Sequence, residues 1–339
     1  MIRHLFKALI LICFIYVSGL EAQQKLAQTG FQFLSVGVDA RATALGEAFT
    51  TLENTSAALF YNPAGIARLQ SKVDVRVNQH NWIADIQYIS GTAAVKAFGG
   101  RYGVFGLSYL VLDYGEFLGT RVADNEQGFI DTGSFKPTAT AIGLGYGVEL
   151  SESFTIGAHV RYVHQSLGSS IVPIEFIPGV DPSDLETTEQ SYSKNVLAFD
   201  FGTRYVTGYR SLVFGMSIRN FSQEIQYERE GFQLPLTFKF GVSMDVFDLF
   251  PAVGNTHKLF VAIDASHPRS GPEYISIGGE YVFMDMIAIR GGFVTNNIND
   301  AEGASLGFGV SQFGVGIDYS YTPFSVFNDI HRFSIHLSF

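Results

Sequence analysis

From residue 154 the chain places an apolar side chain at every second position. Phe154, Ile156, Ala158, Val160 and Tyr162 are separated by Thr155, Gly157, His159 and Arg161. Leu236 to Val246 repeats the pattern around Thr237, Lys239, Gly241, Ser243 and Asp245. Val73, Val75 and Val77 alternate with Asp74, Arg76 and Asn78, and Phe199, Phe201 and Tyr205 share a face opposite Asp200, Gly202 and Arg204. Strict alternation of this length means strands with one greasy face and one polar or very small face. About fourteen such segments follow residue 71, near 72–81, 84–98, 102–115, 136–149, 153–166, 194–206, 211–221, 235–247, 257–266, 273–283, 286–295, 303–310, 313–322 and 331–339. Most run roughly nine to thirteen residues, the length a tilted strand needs to cross a bilayer, whereas soluble strands average about five or six.

The connections point the same way. With the first strand running upward, the longest gaps (115–135, 167–193 and 222–234) are the third, fifth and seventh connections, all on one rim. The even connections are mostly tight, as at Gly99-Gly100, Ser151-Glu152 and Met284-Asp285. Long loops on one rim and short turns on the other are the asymmetry of bacterial outer-membrane barrels. Composition agrees: 36 Gly, 31 Phe and 16 Tyr accompany only 16% charged residues. Lipid offers no hydrogen-bond partners, so a sheet facing it must close on itself. The expected fold is therefore all-β: a transmembrane antiparallel barrel of about fourteen strands. Its lipid face would carry Phe154/Ile156, Leu212/Phe214, Phe238/Phe240, Ile287/Ile289 and Phe333/Ile335. Its lumen face would carry Arg76, Arg161, Asp200, Arg204, Arg219, Lys239, Asp245, Asp264, Glu280, Arg290 and Asp318, laced with ion pairs and water. No charge is expected near mid-strand on the greasy row, because Lys or Arg there costs about 2–4 kcal/mol.

Two stretches at the start break the pattern. Residues 1–22 read as a signal peptide: Arg3 and Lys7, an apolar run from Ala8 to Val17, and a cleavage site after Ala22. That run is too short for a transmembrane helix. Cleavage removes Arg3, Lys7 and Glu21, moving the formal charge from −10 to −11, and removes Cys13, the only cysteine. The acidic balance argues against a nucleic-acid partner, and the mature chain has no thiol for catalysis or metal binding. Gly30 to Leu69 is apolar without period two. Gly37 to Phe49 reads as a short helix ending near Gly46. Asn54 or Ser56 would cap a second turn, stopped by Tyr61-Asn62-Pro63-Ala64-Gly65, with Pro63 lacking a donor and Gly65 permitting a reversal. With Phe31, Phe33, Leu45, Phe49, Leu59, Phe60 and Tyr61, the segment is too apolar to hang in water, so it is expected to plug the lumen. The domains are then 1–22 signal peptide, 23–70 plug and 71–339 barrel.

Enzyme-like constellations are weak. His159 and His164, like His331 and His336, stand five apart on one strand and so on opposite faces, which forbids a shared metal. Gly143-Leu-Gly145-Tyr-Gly147 and Gly307-Phe-Gly309 lie within strands and open no helix, so they thin the lumen face instead of cradling phosphate. Asp181-Pro-Ser-Asp184-Leu-Glu186 has calcium-type carboxylates but reads first as a solvated acidic loop. No cofactor, metal or catalytic residue is expected.

The last strand, His331 to Phe339, is apolar at Phe333, Ile335 and Leu337 and ends on Phe339, which resembles the signal read by the barrel assembly machinery. The order signal peptide, Arg41-Ala42-x-x-Leu45-Gly46, Asn62-Pro63-Ala64-Gly65, then barrel resembles the FadL-like outer-membrane family, and within it the PorV/PorQ branch of the type IX secretion system. The resemblance implies a cell outer-membrane location in a Gram-negative envelope and a plugged fourteen-stranded barrel. It also implies a non-enzymatic role in protein transport, in which the long loops dock a translocon subunit or secreted cargo. The alternative is a passive FadL-like channel for a hydrophobic ligand. Apolar side chains of the plug would line the channel's pocket.

Overall fold

The computed structural model describes residues 29–175, 180, 184–250, 256–295, 303–324 and 328–339. The proposed signal peptide and Asp181 lie outside these. Fourteen antiparallel strands form one closed ring. In chain order they are β1 (Val73–Asn81), β2 (Gln87–Val95), β3 (Val104–Asp113), β4 (Thr138–Glu149), β5 (Phe154–Pro173), β6 (Thr187–Val206) and β7 (Val213–Phe221). They continue as β8 (Thr237–Asp245), β9 (His257–Pro268), β10 (Tyr274–Phe283), β11 (Ile287–Val294), β12 (Ala304–Gln312), β13 (Val315–Thr322) and β14 (Ile330–Ser338). Each pairs with its sequence neighbours, and β14 closes the ring on β1, with Val77 opposite Ile335 and His80 opposite Arg332. At the seam the Phe339 N–H donates to the Val73 carbonyl at 2.9 Å, so the last residue helps satisfy the first strand.

The two faces follow the alternation. Phe240, Ile263, Ile289, Phe333 and Ile335 point outward and are exposed, while Arg76, Arg161, Asp200, Lys239, Asp264, Glu280, Arg290 and Asp318 point inward and are buried. Among the described residues no Lys, Arg, Asp or Glu stands on the outward row at mid-strand. One part of the inner wall differs from the expected polar row. Leu110 and Leu112 on β3, Ala139 and Ala141 on β4, Val163 on β5 and Val196 on β6 form an apolar patch packed against Phe31, Phe33 and Leu34. An apolar plug must bury its own surface on something, and these small and branched residues receive it.

The long connections are more ordered than loops. β5 and β6 outrun their expected ends, pairing Ser169–Ser191 through Pro173–Thr187 beyond a register shift after Ser166. Much of 167–193 is thus a two-stranded arm. The third connection holds a hairpin of Phe117–Val122 with Phe129–Phe135, and the seventh a small one of Ile225–Gln226 with Gly231–Phe232. Pairing satisfies backbone groups that a bare loop would leave to solvent.

Within the ring, α1 (Ala40–Ala44) is capped by Asp39, whose carboxylate accepts the Ala42 N–H at 2.9 Å. It ends at Leu45, and Gly46 takes φ +62° beside the Phe293 backbone, a position where a side chain would be both strained and crowded. The cap of the second turn, Ser56–Phe60, is Thr55, between the two residues expected from sequence; Asn54 instead accepts the Gln70 N–H at 2.8 Å. That turn ends with Tyr61 as its C-cap, where Tyr61–Gly65 was expected to stop it, and the chain turns again at once. Asn62 caps a third turn, Pro63–Ile66, with Pro63 in the first position where no donor is needed. Gly65 makes no left-handed reversal; its missing side chain leaves room for the Leu52 carbonyl and the Ala58 methyl.

Candidate functional site

The segment from Thr29 to Gln70 crosses the lumen. Thr29 bridges Gln233 on the long-loop rim, and at the opposite rim Lys72 follows, its carbonyl accepting the Lys96 N–H at 2.8 Å. It acts as a cork in the geometric sense: Ala40, Ala42, Leu45, Phe49, Leu59 and Ile66 are all 0–1% exposed.

Charge fastens one side of it. Asp39 and Arg41, at and just beyond the cap of α1, face four wall residues. Arg76 Nη1 lies 3.1 Å from Asp39 Oδ2 and 2.9 Å from Asp318 Oδ2. Arg290 Nη1 lies 2.7 Å from Asp318 Oδ1, and its Nε lies 2.5 Å from Glu280 Oε2. Arg41 closes the chain, with Nη2 2.6 Å from Glu280 Oε1. Three cations and three carboxylates alternate, so each buried charge has opposite neighbours and the cluster is neutral as a set. A second fastening is Asp264, which accepts from Phe49 N–H (3.0 Å), Thr50 N–H (3.0 Å) and the Thr50 hydroxyl (2.6 Å). On the far side Arg204 donates to the Thr51 carbonyl at 2.7 Å and pairs with Glu53, while Asp74 accepts the Ser56 N–H at 2.6 Å.

Backbone contact fastens the rest. Side chains built on Gly157 or Gly202 would collide with Pro63 or Asn62, and on Gly215, Gly278, Gly292 or Gly307 with Thr50, Leu45, Gly46 or Ala44. The inward glycines are the seats on which the cork rests. Asn62 joins the parts: its Nδ2 donates to the Thr50 carbonyl (2.7 Å) and the Thr203 carbonyl of β6 (3.0 Å), and its Oδ1 accepts the Ala64 N–H (3.1 Å).

The residues singled out from sequence therefore meet wall partners. Arg41 reaches Glu280, Leu45 and Gly46 pack on β10 and β11, and Asn62, Pro63 and Ala64 pack on β5 and β6. Gly65 lies within the cork itself. Phe333, Ile335, Leu337 and Phe339 face outward and touch none of them. Asp39 and Trp82 were not singled out, because nothing local distinguishes them from an ordinary helix cap and a loop aromatic. His159 and His164, and His331 and His336, do lie on opposite faces. Sequence reasoning also missed a relay of Ser108 Oγ to His159 Nε2 (2.8 Å) and His159 Nδ1 to Asp200 Oδ2 (3.1 Å), spread over β3, β5 and β6. It has the connectivity of a nucleophilic triad, but Ser108 is 1% and His159 0% exposed, so no substrate reaches the hydroxyl. Arg161 and Asn220 complete it as a structural network.

Above the cork a cavity of about 440 Å³ opens among strand ends of the long-loop rim. Outside the ring, the arms at that rim expose Leu118 (84%), Val122 (68%) and Ile174 (63%).

A closed fourteen-stranded antiparallel ring, greasy outside and filled by its own N-terminal segment, is an outer-membrane β-barrel of FadL-like architecture. Solved structures share that architecture. The toluene transporter TbuX of Ralstonia pickettii superposes with TM-score 0.60 at 11% identity, over 89% of this chain and 98% of that one. A FadL homologue of Pseudomonas aeruginosa gives 0.58 at 13%, over 90% and 99%, and the CymD monoaromatic hydrocarbon channel 0.57 at 10%, over 92% and 99%. At such identities the likeness is one of fold. Comparison with curated protein sequences returns no match. The family model for the type IX secretion system membrane protein PorP/SprF matches residues 55–336, and the chain belongs to that family. The Arg41-Leu45-Gly46 motif that resembles PorV/PorQ precedes the matched residues, whereas Asn62-Pro63-Ala64-Gly65 falls inside them.

Proposed function

We propose that this barrel is a non-enzymatic docking component of type IX secretion, holding secreted cargo or a translocon subunit on its long-loop rim while the cork keeps the lumen shut. The observation that carries this reading is a pair of two-stranded arms, Phe117–Val122 with Phe129–Phe135 and Ser169–Pro173 with Thr187–Ser191. They present Leu118, Val122 and Ile174 to solvent on the rim opposite the tight turns. Exposed apolar side chains grouped on projecting hairpins are what a protein partner buries. On this reading residues 1–22 are cleaved, 23–70 form the cork and 71–339 the barrel. Phe333, Ile335, Leu337 and Phe339 then serve first as the assembly signal and afterwards as lipid contacts. The PorV/PorQ likeness of Arg41-Ala42-x-x-Leu45-Gly46 is the narrower form of the same proposal.

The second reading, a passive channel for hydrophobic molecules, draws on the cavity above the cork and on the fold shared with hydrocarbon transporters. The ion-paired cork weighs against it. Deletion of 167–193 separates the two when export of surface proteins and uptake of a long-chain fatty acid are both measured. Lost export with normal uptake supports docking; intact export with lost uptake overturns it.

A further inference from the structure

The negative charge of the chain is concentrated in one place. Residues 115–135, 167–193 and 222–234, the three long connections of one rim, hold twelve of the 32 Asp and Glu but only two of the 22 Lys and Arg. They therefore carry the whole formal charge of −10, and the rest of the chain balances at twenty of each sign. In the lumen, carboxylates such as Asp318 and Glu280 are buried against guanidinium groups. The rim acids are not. Asp124, Glu126, Asp131, Asp184, Glu186 and Glu230 are all exposed, and their side chains make no hydrogen bond or ion pair with a described residue. The opposite rim carries both signs at its turns, with Arg101 and Arg210 against Glu152, Asp248 and Asp285.

Charge of one sign repels itself, so a surface that only has to stay in water mixes its signs. A concentrated field instead draws in and orients a partner of the other sign. The acids also border the exposed apolar side chains of the arms: Glu116 precedes Leu118, Asp124 follows Val122, and Glu175 adjoins Ile174. An apolar centre inside a polar border is the anatomy of a protein interface.

We propose, resting on the docking reading above, that the long-loop rim takes a protein whose contact face is basic around an apolar centre. Its Lys and Arg meet the acids of the three connections, and its apolar side chains cover Leu118, Val122 and Ile174. The acids speed and orient the approach, and the apolar arms hold the seated partner. A charge acts over about 10 Å at 0.1 M salt and about 3 Å at 1 M, so capture is sensitive to salt.

Amides remove the charge and keep the shape. Asp124→Asn, Glu126→Gln, Asp131→Asn, Asp184→Asn, Glu186→Gln and Glu230→Gln are combined in the full barrel, with folding checked by the heat-modifiable band. Outer membranes of exporting cells are treated with a water-soluble carbodiimide, which joins a carboxylate to a lysine amine in contact with it. Adducts are expected between these carboxylates and lysines of an exported protein or a secretion-system subunit, mapped by mass spectrometry. The six amides should cut both adduct yield and export of surface proteins by about ten-fold, the lower end of what steering supplies. Raising salt from about 50 to about 500 mM should cut the wild-type adduct comparably. Unchanged adducts and export in the six-amide barrel overturn the basic partner. Export abolished by deleting 167–193 but spared by the six amides leaves docking standing and removes its charge complementarity. Export spared by the deletion removes docking and the basic partner together. Export lost on chelating divalent cations, with no lysine adduct in wild type, gives the acids to bridging cations and also overturns the basic partner.

Discussion

Residues on the two faces of a strand live under opposite rules. Ile263 faces outward at mid-strand between Val242 and Ile277, so Ile263→Arg should destabilise the barrel by about 2–4 kcal/mol, read as a lowered urea midpoint in refolding into vesicles. One residue further, Asp264 is a charge the fold requires. Asp318 is more demanding still, because it neutralises Arg76 and Arg290 together. Asp318→Asn should cost about 3–5 kcal/mol by the same assay, since it strands buried guanidinium charge. At the rim the electrostatics are gentler. The Tyr321 hydroxyl (2.7 Å) and the Phe324 N–H (3.2 Å) hold the Asp329 carboxyl below its usual range. A carboxyl depressed in the folded state contributes its stability above the unfolded value of about 4 and loses it as pH falls through the lowered one. Hydrogen-exchange protection of the Phe324 amide should therefore persist at pH 5 and vanish only on strong acidification. The faces of Ile263, Asp264 and Asp318 were legible in the alternation; the partners of the two carboxylates were not.

At the scale of elements, the cork and the wall are fitted by subtraction. Inward glycines on β5, β6, β7, β10, β11 and β12 remove side chains where the cork backbone must pass. Gly202→Leu would put a side chain on Asn62, so the cork should lift while the ring persists. The readout is trypsin cleavage after Arg41 or Arg68 in barrels that still migrate as folded species, with wild type resistant. The sequence marked Gly307 as thinning the lumen face and put Gly157 and Gly202 on the polar or very small face, but it marked none of the six as a seat for a particular cork residue. It also misjudged short-range detail. Thr55 took the cap expected at Asn54 or Ser56, and Asn62-Pro63, besides following the end of one turn at Tyr61, began another that was not expected, because a capping side chain is chosen by the direction the chain takes next. The arm beyond Ser166 escaped notice for a related reason: Ser169 and Ser170 carry no apolar period, yet they pair with Ser191 and Gln190.

For the molecule as a whole, closure is the dominant requirement. Every strand N–H and C=O facing hydrocarbon is satisfied only when β14 meets β1, and Phe339 contributes hydrogen bonds at that seam. Deleting Phe339 should lower the yield of folded barrel in the outer membrane, scored as loss of the heat-modifiable band, with little change in export per folded molecule. The amino-acid sequence alone determined the barrel, its strand number, its greasy exterior, the two unequal rims and an apolar segment too large to leave in water. These are properties of periodicity and spacing, which a one-dimensional string carries in full. Only the tertiary structure decided that Asp39 and Arg41 would meet Arg76, Glu280, Arg290 and Asp318, and that a cavity would remain above the cork. Such meetings depend on the register of every strand around the ring and on the height at which the cork settles. A slip of one residue would exchange the faces of a strand, and no local pattern records that choice.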